Sequence, residues 1–529
     1  MCRFALLVLF ALLVFVPDSL RAAPKTAPFR FRLTADPSTL DWNLARSSYE
    51  TYIIMNIMDG LVSEGADLKP QPGLADHWEI SSDAKTYTFF LRPGVKWSDG
   101  KPLRAQDFVD SWIRLLDPKT HSSYADFLFD LENAKDFHEG KITTPASVGV
   151  HAVGDSTLKV SLWHTVPYFL HLPSFWVTFP IRADLIKKYA NHWAEPENLA
   201  TLGPYLLKEW KRGKFIKLTV NDQYSGRNPG TIREAEAVIQ PDDQVARKLF
   251  ETGAIDLLLN ATTADLLAVK SGETSKPLRV EIFPYLATYY LGFNVKSAPL
   301  KDAAIRKAIA NAVEREKIPG ILQGGETAAT SWVPPGISAG TEPSAQSSGK
   351  SLYDARGAFA KAGFTEGHGF PKLKLRVEKF DGAQILADAL VKMLHDQLGI
   401  EVEAKIESSS DFQRVLKAGE EDLFVGHWGA DFPDAANFFE VFSSTSGTNY
   451  TRWKSTEYDA LLSQAASTLD AAKRKTDFAE AEGILVNREA VILPLFYKKN
   501  AVLIRSRVRE MKISPLNYFF LSSVKLSDS

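Results

Sequence analysis

The sequence predicts an α/β protein of more than one domain, on three observations. Residues 373–377 alternate apolar and charged, with Leu373, Leu375 and Val377 set against Lys374 and Arg376. Residues 383–398 then carry Leu386, Leu390, Met393, Leu394 and Leu398 at helical spacing, and Ile400, Val402, Ala404 and Ile406 alternate again. A strand, a helix and a strand in that order read as a right-handed crossover in a parallel sheet. Helical segments also feed apolar runs elsewhere: 246–252, closed by Gly253, leads into 255–259, and 411–418 leads into Leu423, Phe424 and Val425. Finally, 529 residues exceed what one core organises, which divides the chain into two or three domains.

The N-terminus reads as an export signal. Arg3 precedes an unbroken apolar run from Phe4 to Val16, too short to cross a bilayer, and cleavage is expected near Ala22. Cys2, the only cysteine, precedes that run, whereas a lipid-modified cysteine would follow it, so no membrane anchor is expected. The mature chain then holds no cysteine, which excludes disulfides, thiol catalysis and thiolate metal sites. Residues 29–33 alternate as a first strand, 52–58 form an apolar helical turn, and 85–92 alternate at period two as a strand. A turn and a second extended piece over 95–103 precede a helix over 105–116, with Phe108, Val109, Trp112 and Leu115 on one face. Residues 288–294 read as a strand leading into a helix whose acid, Asp302, suits its N-terminus and can pair with Arg306. From 334 to 351 the composition shifts to a Gly/Ser/Thr/Pro surface loop. Gly349, Lys350 and Ser351 there do not make a phosphate loop, because Ser344 stands where the motif needs glycine and no strand precedes it.

Composition narrows the function. A formal charge of −2 provides no footprint for nucleic acid. There is no Gly-x-Ser-x-Gly elbow, no His-Glu-x-x-His helix and no dinucleotide fingerprint, and the ten histidines are scattered, His164 and His171 being separated by Pro167. No cofactor, metal or catalytic residue is expected, and a secreted hydrolase using some Asp/Glu pair is the weaker alternative. The informative stretch is 425–434, Val-Gly-His-Trp-Gly-Ala-Asp-Phe-Pro-Asp. It lies just past a strand's carboxyl end, where open α/β sheets place ligands. Its Asp431, between Trp428 and Phe432, needs either a cationic partner or employment as a cap for a helix over 435–440.

Trp78-Glu79-Ile80, Tyr87-Thr88-Phe89, and Trp97-Ser98-Asp99-Gly100 through Ala105-Gln106-Asp107-Phe108-Val109-Asp110-Ser111-Trp112 together resemble the signature of the extracytoplasmic solute-binding proteins of peptide ABC transporters, the oligopeptide-binding type of family 5. Val166-Pro167-Tyr168-Phe169, Gly203-Pro204-Tyr205 and the segment 246–256 are similar to the same family. The resemblance implies a two-lobed, type II periplasmic-binding-protein-like α/β fold with an extra inserted domain. The domains would be lobe I from 23–58, 184–285 and 498–529, an inserted domain II over 59–183, and lobe III over 286–497. It further implies a periplasmic monomer that binds a short peptide by lobe closure and delivers it to an inner-membrane ABC permease, without catalysis. Asp431 matches the family acid that pairs with a peptide's α-ammonium, His427, Trp428 and Gly429 would line the ligand through backbone groups, and Tyr124 and Ser48 would reach it from the other lobe. Core packing rivals the role of Trp428 and Tyr124. Val425 and Ala383 stand where oligopeptide binders carry basic groups for the ligand carboxylate, which keeps open a nickel chelate, opine or oligosaccharide as the solute.

Overall fold

The crossover at 373–407 belongs to a large sheet assembled from both halves of the chain. The computed structural model describes residues 27–272, 278–340 and 352–527; the expected export signal with Cys2 and residues 341–351 of the expected surface loop lie outside the described residues. In chain order the strands that matter are β1 (Phe29–Leu33), β2 (Val62–Glu64), β3 (Pro70–Pro72), β4 (Ala75–Ile80), β5 (Thr86–Leu91), β6 (Val150–Ala152), β7 (Thr157–Ser161), β8 (Tyr205–Lys211), β9 (Phe215–Val220), β10 (Glu234–Ile239), β11 (Leu257–Leu258), β12 (Leu278–Phe293), β13 (Thr327–Ala328), β14 (Leu373–Glu378), β15 (Val402–Glu407), β16 (Leu423–Gly429) and β17 (Ile492–Arg505). Eleven of them form one sheet in the order β15-β14-β16-β12-β17-β11-β1-β10-β9-β8, with β13 beside β17.

The two ends of this sheet are separate lobes joined by β12 and β17. At one end β14 runs parallel to both β15 and β16, placing Leu375 beside Ala404 and Leu423. The helix Ala383–Leu398 covers this end, and its Leu386, Leu390 and Leu394 are buried against Leu375, Val377 and Val425. Gly399 ends the helix at φ 68°, a left-handed position that glycine takes without steric penalty. At the other end β1 pairs in parallel with β10, and Phe29 and Phe31 are wholly buried. Strands β12 and β17 stay antiparallel throughout, but their register shifts between Pro284 and Thr288 and again between Tyr289 and Tyr290, the latter opposite Pro494. Proline has no N–H to give to a ladder, so both irregularities fall where the ladder is already interrupted.

A second sheet, β4-β5-β7-β6, is antiparallel and carries its own helix, Ala105–Leu116. That helix buries Phe108, Trp112 and Leu115, three of the four residues expected on its apolar face, while Val109 is only partly buried. No described helix is long and apolar enough to cross a membrane.

Four expectations change in detail. β16 continues to Gly429, so His427, Trp428 and Gly429 are strand residues and not a loop after the strand, because β12 pairs with them as far as Ala287. The strand expected over 255–259 is only Leu257–Leu258. Asp302 does cap its helix through the Ala304 N–H, but Arg306 makes no ion pair with it. Arg306 is buried and donates to the carbonyls of Leu300, Lys301, Glu489 and Ala490, which the exposed Asp302 cannot replace. Finally, the helix after the informative stretch is shorter, Ala436–Phe439, and the acid that caps it is Asp434, through the Ala436 N–H at 3.0 Å.

Asp434 is also the anchor of that stretch. Its two oxygens receive both terminal nitrogens of Arg474 at 2.9 and 2.6 Å, and both side chains are almost fully buried. Arg474 lies on the helix Ala471–Glu482 and spends its Nε on the Ala465 carbonyl. A planar, bidentate pair with its remaining valences satisfied is the arrangement in which a buried ion pair holds geometry. Breaking it from one side leaves a charge buried alone. Arg474→Met is therefore expected to cost about 3–5 kcal/mol, read as a drop in the urea-unfolding midpoint, with Asp434→Asn in the same background recovering part of the loss.

Candidate ligand-binding site

The site is built where β16 outruns its neighbour. The β14–β16 register ends at Val425, whereas β12 accompanies β16 to Gly429, so residues 427–429 have a strand beside them on one side only. Among the described residues this edge has no second strand, the geometry to which an extended chain can add. Alternation along β16 sends Val425 and His427 to one face and Phe424 and Trp428 to the other. His427 stacks on Tyr289 at 5.0 Å and lies 3.7 Å from Glu378. Trp428 packs partly against the larger core and donates its indole N–H to Asn437 at 3.0 Å. Gly429 is needed for space: a Cβ there would lie 2.5 Å from the Tyr285 hydroxyl.

Asp431 follows at the strand's exit. Its backbone N–H donates to the Asn437 side chain at 3.0 Å, and Asn437 offers only a long 3.4 Å contact to its carboxylate. Among the described residues no cation pairs with it. Burial pushes its pKa up to about 7; the Asn437 hydrogen bond lowers it, and the negative charge of Asp126 raises it further. Keeping this carboxylate ionised costs about 4 kcal/mol relative to water, at 1.36 kcal/mol for each pH unit. Three tyrosines surround it closely enough that its charge raises each of them: Tyr124, Tyr285, which burial and Asp431 push up to about 12, and Tyr518. Among the described residues none of the three hydroxyls has a hydrogen-bond partner.

Of the residues singled out from sequence, Trp428 and Asp431 meet at Asn437, Tyr124 lies within reach of the Asp431 charge, and His427 turns its ring to the opposite face of β16. Tyr124 is half-buried, edge-on to Phe127, Phe175 and Trp176. Ser48 is different. It opens the helix Ser48–Ile57 and its carbonyl accepts from the Thr51 hydroxyl. The segment just before this helix meets Tyr124 through Trp176, which donates to the Ala45 carbonyl and packs on Tyr124. Val425 and Ala383 are both core residues and face away from solvent, so no ligand group meets either side chain. Asn437, Tyr285 and Tyr518 were missed, and Phe432 was read only as a flank of Asp431. Phe432 stacks on Tyr168 at 4.7 Å and meets Phe127 edge-on at 5.9 Å, bridging the two sides of the cleft.

Comparison with known proteins agrees with this construction. The profile of the bacterial extracellular solute-binding proteins, family 5, matches residues 69–450. The chain is 30% identical to a probable deoxycholate-binding periplasmic protein of Escherichia coli (strain K12), covering 96% of this chain and 94% of that one. It is 31% identical to the oligopeptide-binding protein OppA of Bacillus subtilis (strain 168), covering 88% and 86%. Among solved structures, Haemophilus influenzae OppA in complex with the peptide RPPGFSPFR superposes with a TM-score of 0.79 at 26% identity, over 95% of this chain and 99% of the other. The two-lobed α/β architecture, the extent of the family match and the identity over nearly the whole length lead to one conclusion: the chain belongs to the bacterial extracellular solute-binding proteins of family 5.

Proposed function

We propose that this protein captures short, amino-terminated peptides between its lobes and delivers them to an inner-membrane ABC permease. The observation that carries the reading is Asp431: a carboxylate held in the cleft without a cation, beside a strand edge left open over residues 427–429. An α-ammonium supplies the missing charge, and peptide N–H and C=O groups supply the missing strand, so the ligand is held by groups that every peptide shares. The hydroxyls of Tyr124, Tyr285 and Tyr518 offer further polar contacts at the same end. Lobe I over 23–58, 184–285 and 498–529, domain II over 59–183 and lobe III over 286–497 would then close about the register shifts of β12 and β17, as paired crossing strands do in hinged domains. Export through the apolar run 4–16 to the periplasm, action as a monomer and absence of catalysis complete the reading.

The likeness to a probable deoxycholate-binding protein raises a bile acid as the solute. A bile-acid anion would bring a carboxylate into a cleft whose unpaired groups are themselves carboxylates, which opposes it. The same lack of a complementary charge counts against an opine carboxylate as the anchored group.

Two outcomes test the ammonium contact. Asp431→Asn is expected to weaken a tripeptide such as trialanine by about 2–5 kcal/mol, roughly 30-fold or more, in titration calorimetry. Unchanged affinity would remove Asp431 from the ligand. The pH dependence has a defined sign. In the free protein Asp431 takes up a proton below about 7, while a bound ammonium favours its charged form. Binding therefore releases protons below about 7, affinity rises from pH 5 to 7, and it falls again above about 8 as the peptide's amine deprotonates. Glu440, which burial holds up to about 8, and His427 titrate in the same cleft, so the diagnostic comparison is with Asp431→Asn, in which the rise between pH 5 and 7 should vanish. A rise that persists in the variant would assign the proton to another group.

A further inference from the structure

Strands β17, β12 and β16 lie side by side, and one row across them is aromatic. Phe496 of β17 is paired with Tyr289 of β12, and Tyr289 is paired with His427 of β16. Directly opposite residues share a face of a sheet, so the three rings stand next to one another. Phe496 and Tyr289 stack at 4.7 Å with their planes 12° apart, and Tyr289 and His427 stack at 5.0 Å with 17° between them. Exposure rises along the row. Phe496 is wholly buried, Tyr289 is 9% exposed, and the His427 side chain is 42% exposed. Phe380, two residues past the end of β14, leans on Tyr289 at 4.9 Å, and Glu378 lies 3.7 Å from the imidazole Nδ1.

The next place in the row belongs to no strand of the protein. β14 accompanies β16 only to Val425, so among the described residues no strand pairs with His427 on the side away from β12. A peptide that adds to this edge supplies that strand. Its residue opposite His427 sets its side chain on the same face, at the cross-strand spacing of about 4.5–5.5 Å that the row of rings already keeps. With the ammonium at Asp431, beyond the strand's exit, the peptide runs antiparallel to β16. Its first residue then lies opposite Gly429, its second opposite Trp428 and its third opposite His427. We propose that His427 presents the open end of this aromatic row as a subsite for an aromatic side chain at the third position of the peptide. Stacking on Tyr289 and the nearness of Glu378 orient the imidazole before the ligand arrives, and stacked rings attract beyond the area they bury. The subsite rests on reading residues 427–429 as the edge to which a peptide adds and Asp431 as its ammonium partner, and it adds the ligand's side-chain class to that reading.

The test is titration calorimetry with trialanine whose third residue is replaced by phenylalanine, cyclohexylalanine or arginine. Phenylalanine and cyclohexylalanine are close in size and apolar surface, but only the first has a planar ring. The phenylalanine peptide is expected to bind about threefold or more tighter than the cyclohexylalanine peptide, the scale of an aromatic pair. His427→Ala should bring that ratio to about one, whereas His427→Phe, which keeps the row of rings, should preserve it. In the wild-type protein the His427 ring protons should lie upfield in the phenylalanine complex relative to the cyclohexylalanine complex, as a stacked ring requires. A ratio of about one, a ratio that survives in His427→Ala, or tighter binding of arginine than of phenylalanine would overturn the subsite. In each of those cases Asp431→Asn should still weaken every peptide, which leaves the ammonium contact standing. If Asp431→Asn weakens none of them, the reading on which the subsite rests fails instead.

Discussion

The arrangement of the cleft depends on how one arginine is spent. Two aspartates, Asp431 and Asp434, lie three residues apart on the same short connection, and Arg474 is committed to the second. That buried bidentate pair fixes the connection to the helices Thr456–Ala466 and Ala471–Glu482, while Asp434 also caps the next helix. With its neighbour satisfied in this way, Asp431 is held at a defined place and given nothing but an amide and three tyrosines. One acid provides rigidity and the other keeps its charge unanswered. The energy needed to keep Asp431 ionised is then available to a ligand that brings a cation, which is how a binding site gains selectivity for charge without a flexible partner of its own.

The same logic extends across the cleft. Phe432, directly after Asp431, is the side chain that touches the opposite side, through Tyr168 and Phe127. Contact between the lobes and exposure of the carboxylate are therefore coupled by one peptide bond. Apolar contact favours closure, and burying the unpaired Asp431 opposes it. A ligand cation removes the second term and leaves the first. A closure equilibrium set by two opposed terms of a few kcal/mol is what lets ligand binding shift the population of closed molecules.

Much of the scaffold was legible in the residues because the signals were local. Alternation in 373–377 and 400–406, the apolar stripe of 105–116 and the glycine after 398 each specify an element without reference to distant chain. The misses share the opposite property. β16 runs to Gly429 because β12, some 135 residues away in sequence, stays beside it, and nothing in His427-Trp428-Gly429 itself announces a strand. Arg306 sits one turn from Asp302, yet a buried guanidinium takes carbonyls that only the tertiary fold delivers. Asp431 stood out by its aromatic neighbours, whereas Tyr285 and Tyr518 are ordinary in their local sequence and acquire meaning by coming to it from two separate segments. Asn437 offered one faint clue, six residues after Asp431 on a helix that turns back toward the strand.

The central claim is that Asp431 is an uncompensated carboxylate reserved for a ligand cation, and its own titration addresses this most directly. Carbon-13 NMR of the aspartate carboxyl, assigned through Asp431→Asn, gives its pKa in the free and peptide-bound protein. The account predicts a midpoint near 7 in the free protein and a fall to below about 5 when an amino-terminated peptide is bound, with no such fall for the N-acetylated form of the same peptide. An ordinary midpoint near 4 in the free protein, or one that the bound peptide leaves unmoved, would contradict it.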